Sequence, residues 1–218
     1  MSSLKGELVT QTFSYDVGRK VTAYVPPDPP DAVVYVADGG WHTAGLGEAL
    51  EAADSPSTML VGVHGLDDDE GRLNEYVAAF GAERFDAFEK FCVDDVRHWV
   101  QSELNVALPA ERTAVWGASL GGEFALALGL RHPDIYGAIF CASPGGGFAP
   151  TGGLPSSIPR TYLLAGKDEQ WFLDNATRWA NALREADADV VIMERDGEHG
   201  GAFWRDEFPL MVAWAFAR

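Results

Sequence analysis

Cysteine is scarce: Cys92 and Cys141 are the two in 218 residues. That excludes the dense disulfide framework of a small secreted scaffold. Cys92 falls in a predicted helix and Cys141 in a predicted strand, so both read as buried free thiols suited to a reducing compartment. Positive charge is also in short supply. Sixteen Lys and Arg face 33 Asp and Glu, for a formal net charge of −17, which argues against nucleic acid and anionic membranes as partners. No apolar run approaches the ~20 residues needed to cross a bilayer. The opening stretch MSSLKGELVTQ lacks the apolar segment of a secretory leader. A soluble, cytoplasmic protein with a solvated acidic surface is the expectation.

Internal repeats and low-complexity linkers are missing as well. So are a phosphate-binding glycine loop, a dinucleotide fingerprint and a metal-ligand cluster, and no cofactor or metal is expected. The acidic run at 67–70 lacks the alternating ligand spacing of a calcium loop and reads as a solvated loop. The widest break, SPGGGFAPTGGLPSSIPR at 143–160, is rich in Gly, Pro and Ser. Only about 58 residues follow it, too few for a second core, so residues 1–218 are expected to form a single domain.

What is present is a 47 % hydrophobic, 11 % aromatic chain in which strand and helix signals alternate. LVTQTFSY and TAYVPP look like an antiparallel opening pair. AVVYVA (32–37) and TMLVGV (58–63) are continuous apolar runs, as strands buried on both faces require. TAGLGEALEAAD between them reads as a helix. In AERFDAFEKFCVDDVRHWVQSEL, residues Phe85, Phe88, Cys92, Val96 and Trp99 recur at spacings of three and four, a core-facing helical stripe. RTAVWGA, YGAIFCA, RTYLLAG and VVIMER are further strands. The helices GEFALALGLRHP, LDNATRWANALREAD and a closing segment bent or started near Pro209 fall around them. The expected fold class is α/β, a mostly parallel central sheet with helices on both faces. Ligands in such sheets bind at the carboxyl ends of the strands.

There stands Gly117-Ala118-Ser119-Leu120-Gly121, directly after a strand and before a helix. A tight reversal at that point forces the serine backbone into an unfavourable conformation. Glycines two before and two after relieve the crowding, and Gly122 lets helix and sheet approach. A serine hydroxyl needs a base to become nucleophilic. Of five histidines, His98 and His132 fall in or at the end of helices and read as structural, and His42 and His64 as pocket-edge residues. His199 follows the last strand, where a base can lean onto Ser119. The acid should lie between serine and histidine in the chain. Asp168 and Glu169 follow RTYLLAG; spacing from Gly166 favours Glu169, with Asp168 the alternative and Asp196 and Glu198 behind them. Oxyanion donors are expected at the backbone N–H of Leu120 and of Gly40 or Trp41. Trp41, Trp171 and Phe172 are candidate walls of an apolar substrate pocket, with Phe203 and Trp204 nearby. Arg72 and Glu75 are expected to pair on one helix turn and brace the active-site loop. Arg72 is also a candidate for contacting substrate.

The segments ADGGW, RLNEY, WGASLGGEFALALGLRHPD, AGKDE and GEHGGAFWRDEFP together resemble the Putative esterase family of α/β hydrolases, the group of enterochelin esterase and esterase D. The resemblance runs from about residue 30 onward. It implies an α/β-hydrolase fold, with the serine nucleophile on Ser119 and the histidine on His199. In the enterochelin-esterase-like branch, a glutamate after A-G-x-x-E falls on Glu169. The family's D-G-x-x-W loop is loosely matched by Asp38 to Trp41, the tryptophan coming one position early. Siderophore esterases of the family carry an additional amino-terminal domain. This chain begins almost at once with hydrolase strands, so a siderophore substrate is not carried over.

The reaction expected is cofactor-independent cleavage of a small-molecule carboxylic ester through an acyl-enzyme. The alternatives are an acyltransferase using the same acyl-enzyme and a non-catalytic hydrolase-fold binding protein. An exposed apolar patch on the closing helix would support a homodimer.

Overall fold

The structure, a computed structural model, describes residues 4–146 and 154–217. The centre of the loop at 143–160 lies outside the described residues. Eight strands form one sheet: β1 (Glu7–Phe13), β2 (Arg19–Val25), β3 (Ala32–Val36), β4 (Thr58–Val63), β5 (Thr113–Ala118), β6 (Ala138–Ala142), β7 (Arg160–Gly166) and β8 (Val190–Arg195). Their spatial order is β1-β2-β4-β3-β5-β6-β7-β8. β1–β2 and β2–β4 are antiparallel, and every later pair is parallel. The expected opening hairpin and parallel sheet are both present.

Helices cover both faces: α1 (Gly39–Ala52), α2 (Asp69–Tyr76), α3 (Ala82–Lys90), α4 (Arg97–Ser102), α5 (Leu120–Arg131), α6 (Gln170–Glu185), α7 (Phe203–Asp206) and α8 (Phe208–Phe216). Period-2 alternation divides each strand between two cores. Val33 and Tyr35 of β3 pack with Phe85, Phe88, Phe124 and Trp179 on one side. Val34 and Val36 pack with Leu46, Leu50, Phe208 and Met211 on the other. Helix α5 is buried from Gly121 through Leu130, which explains why it carries almost no polar face.

Three expectations need correction. The helix expected at 43–54 begins at Gly39, so Gly39, Gly40, Trp41 and His42 form its first turn rather than a loop. The striped segment at 82–104 is not one regular helix; α3 and α4 are joined by a π turn at Phe91–Val96. The wider turn adds Phe91 to the buried stripe of Phe85, Phe88, Cys92, Val96 and Trp99. The acidic run is not a loop throughout: Asp69 and Glu70 open α2, and Asp68 caps it by accepting from the Gly71 N–H at 2.6 Å. Negative side chains suit a helix N-terminus. The closing segment does restart near Pro209 as expected: α7 ends at Asp206, and Pro209 lies in the first turn of α8, where proline costs no hydrogen bond. Cys92 and Cys141 are buried and free.

Candidate active site

Ser119 joins β5 to α5 with φ 57° and ψ −123°, a positive-φ conformation that L-residues avoid at a cost of about 1–3 kcal/mol. Its N–H donates to the Ala142 carbonyl at 3.0 Å. A Cβ added to Gly117 would lie 1.9 Å from the Gly121 carbonyl oxygen. The two glycines that flank the serine therefore crowd together as the motif requires. Gly122 sits against Cys141 Sγ and the Ala142 carbonyl, where a Cβ would come within 3.0 Å of each.

His199 lies in the turn after β8, with Nε2 at 3.0 Å from Ser119 Oγ. Its Nδ1 is 2.6 Å from Glu169 Oε2. A carboxylate only accepts, so Nδ1 carries the proton and Nε2 faces the serine as an acceptor. Phe172, from the first turn of α6, stacks on the imidazole at 3.8 Å between centroids and 18° between planes. Trp204 meets it edge-on at 5.0 Å.

Glu169 is buried between β7 and α6. Its Oε1 accepts from the Gly166 N–H at 2.6 Å and from the Ser143 hydroxyl at 2.5 Å. Asp168, one residue earlier, is exposed, and its backbone N–H is bonded to the Gly197 carbonyl at 3.2 Å. Asp196 pairs with Lys167 at 2.8 Å, and Glu198 is exposed. Of the four carboxylates considered from sequence, Glu169 is the one at hydrogen-bond distance from His199.

The first turn of α1 is the other wall. Its cap, Asp38, is left-handed at φ 54° and ψ 39°. A Cβ on Gly39 would fall 2.1 Å from the Gly62 carbonyl carbon, so this turn presses directly onto β4. The Trp41 N–H donates to the Asp38 carbonyl at 2.9 Å. Arg72 does not pair with Glu75. It grips Asp38 instead, because α2 points its first turn toward the start of α1. Glu75 faces the other way, into a buried cluster with Arg19 at 2.7 Å and Arg84 at 3.0 Å. The Arg72 guanidinium also lies 5.3 Å from the Trp41 ring centroid.

Among the aromatic candidates, Trp41 is 63 % and Trp171 59 % exposed, while Phe203 is buried in the core. A cleft of about 280 Å³ opens between the start of α1 and the His199 turn, walled by Trp41, His42, Trp116, Gly200 and Trp204. Burial holds the His42 imidazole below its ordinary value; Asp38 opposes this and Arg72 adds to it. His64 bonds Thr22 Oγ1 at 2.8 Å, and His132 bonds Glu89 at 2.9 Å. Ser143 was not singled out from the sequence. A buried serine opening a Gly/Pro loop carries no local signal of its partner 26 positions away.

Several solved structures share this architecture. A ferulic acid esterase superposes with a TM-score of 0.75 at 17 % identity, with 98 % of each chain covered. The enterobactin esterase of Shigella flexneri, in the presence of enterobactin, gives 0.80 at 17 % identity. That match covers 96 % of this chain and 58 % of the other, so the chain spans a little over half that enzyme's length. The BES protein of Bacillus cereus gives 0.76 at 15 % identity, covering 100 % and 97 %. At such identities these likenesses carry the fold. No curated protein sequence matches the chain. No helix among the described residues is long and apolar enough to cross a membrane. The family model described as Putative esterase matches residues 14–150, more than half of the sequence. The chain belongs to that family, and it is a carboxylic-ester hydrolase of the α/β-hydrolase fold.

Proposed function

We propose that the chain cleaves small-molecule carboxylic esters through a covalent acyl-enzyme, with Ser119 as nucleophile, His199 as general base and Glu169 as the acid that orients it. The observation that carries this reading is the unbroken line from Ser119 Oγ to His199 Nε2 at 3.0 Å and from His199 Nδ1 to Glu169 Oε2 at 2.6 Å. Ser119 attacks the ester carbonyl as His199 takes its proton. Glu169 holds the tautomer and stabilises the imidazolium that forms. His199 then protonates the departing alkoxide, and water repeats the sequence on the acyl-enzyme.

The tetrahedral oxyanion is held by the Leu120 N–H, first in α5, and by the Gly40 N–H. Both belong to helix first turns, whose N–H groups lack intrahelical partners. Trp41 is the weaker second donor, because its N–H already has the Asp38 carbonyl. The cleft of about 280 Å³ falls just below the usual range for small-ligand sites, which suits a small acyl or alcohol group against Trp41; Trp171 and Phe172 lie outside that cleft, beside His199, as candidate walls for the rest of the substrate. Arg72 acts here by holding Asp38 rather than by reading substrate. The reading treats residues 1–218 as a single cytoplasmic hydrolase domain without metal or cofactor.

The test is steady-state hydrolysis of p-nitrophenyl acetate and butyrate by wild type, Ser119→Ala, His199→Ala and Glu169→Gln. Ser119→Ala and His199→Ala should each lose about 10⁴-fold or more in kcat, and Glu169→Gln somewhat less. Folded Ser119→Ala with wild-type turnover would remove the reading.

A further inference from the structure

Ser143, the first residue after β6, is fully buried and left-handed at φ 48°. Its N–H donates to the Leu164 carbonyl at 2.7 Å, which ties the strand end to β7. The Trp204 indole N–H donates to its Oγ at 2.7 Å. Indole nitrogen has no acceptor capacity. The Ser143 hydroxyl therefore accepts from Trp204, and its one proton is directed to Glu169 Oε1 at 2.5 Å. With the Gly166 N–H on the same oxygen at 2.6 Å, Oε1 is anchored twice and Oε2 is left for His199.

The residue just before Ser143 works on the opposite side of the site. The Ala142 carbonyl receives the Ser119 N–H at 3.0 Å. Two consecutive residues at one strand end thus hold the nucleophile's backbone and the acid's carboxylate. Trp204 closes the circuit by meeting the His199 ring at 5.0 Å.

We propose that Ser143 and Trp204 are positioning residues for the catalytic base, acting through a directed chain from the Trp204 N–H to the Ser143 hydroxyl, to Glu169 and to His199. The proposal rests on the triad reading above. Truncating the hydroxyl leaves Oε1 on the Gly166 N–H alone and loosens the orientation of the imidazole, which affects turnover rather than substrate affinity. Trp204 contributes by orienting Ser143, so its N–H matters only while that hydroxyl is present.

Kinetics on p-nitrophenyl butyrate separate these claims. Ser143→Ala should lower kcat about 10-fold with KM within twofold, the loss of a hydrogen bond to a charged group. Trp204→Phe keeps a ring and removes the N–H, and should lower kcat several-fold; Trp204 also walls the cleft, so the readout for this variant is kcat and its dependence on Glu169, not KM. The double variant should be no slower than Ser143→Ala alone, and Ser143→Ala should add nothing in a Glu169→Gln background. Full kcat in folded Ser143→Ala, or fully multiplicative losses in the double variant, overturns the proposal. Should Ser143→Ala fail to fold, Trp204→Phe decides: a reduced kcat that vanishes in a Glu169→Gln background supports the chain, and wild-type kcat, or the same loss in that background, overturns it. An active Ser119→Ala removes the triad reading itself. An inactive Ser119→Ala beside a fully active Ser143→Ala removes this proposal alone.

Discussion

Arg72 and Asp38 are joined by two parallel hydrogen bonds, Nε to Oδ1 at 2.9 Å and Nη2 to Oδ2 at 2.6 Å. The Tyr76 hydroxyl adds a third, donating to Oδ1 at 3.0 Å and accepting the Asp38 N–H at 3.1 Å. This grip holds a left-handed residue directly before the glycines of α1. Arg72→Ala leaves the Asp38 carboxylate buried without its cation, and should cost about 3 kcal/mol in urea denaturation. Arg72→Lys should recover less than half of that, since an ammonium cannot present a planar fork. A loss below about 0.5 kcal/mol, the size of an ordinary surface change, would mean that the pair does not hold the turn.

Gly117 and Gly39 are predicted to be intolerant for a steric reason. Alanine at either position drives a methyl to about 2 Å from rigid backbone, Gly121 in one case and Gly62 in the other. Overpacking typically costs about 1–3 kcal/mol. Here both variants should also lose esterase activity beyond their stability loss, because each collision moves a first-turn amide. Gly200→Ala is the control for space, since nothing lies within 4 Å of its Cβ, although its φ of +84° carries a backbone cost. Thermal melts and p-nitrophenyl ester turnover on the three variants check the ranking.

Much of this arrangement was legible because its signals are local. Continuous apolar runs marked the parallel strands, and Gly117-x-Ser119-x-Gly121 between a strand and a helix marked the elbow. Glu169 was favoured over Asp168 by its distance from a strand end, and it is Glu169 that faces His199. The partners of Arg72 and Ser143 were not legible. Arg72 had Glu75 three positions away, yet its carboxylate came from Asp38, the cap of α1, 34 positions back in the chain. The π turn was hidden because it keeps the apolar spacing and changes only the winding. Gly39 and Gly40 looked like a loop because glycine disfavours helices. They are tolerated in a first turn where Gly39 presses on the Gly62 backbone of β4 and Gly40 on the His64 ring.

His42 sets an expectation for acid stability. Burial holds its folded-state value below 6.5, so the unfolded chain binds the proton more readily. Stability from this residue is present above about pH 6.5 and is lost as pH falls toward the depressed folded value. Unfolding midpoints should decline below pH 6.5, and less steeply in His42→Phe. The His42 ring resonances should titrate below 6.5. Titration at or above that value would contradict the burial argument.

Neither cysteine should react in the native state. Burial pushes both the Cys92 and the Cys141 thiols well above their ordinary range, and the thiolate is the reactive form. Ellman's reagent should detect no thiol in the folded protein and two after denaturation. Rapid native labelling of either would show that the core opens around the π turn at Phe91–Val96 or around β6.

The proposed activation of Ser119 is tested most directly by intact-mass labelling with a fluorophosphonate. The account predicts one adduct on wild type, carried by Ser119, and none on Ser119→Ala. In His199→Ala, labelling should slow by about 10²–10⁴-fold, the contribution of a positioned general base. Folded wild type that resists the probe, or that labels equally well without Ser119, would contradict a nucleophile activated by His199.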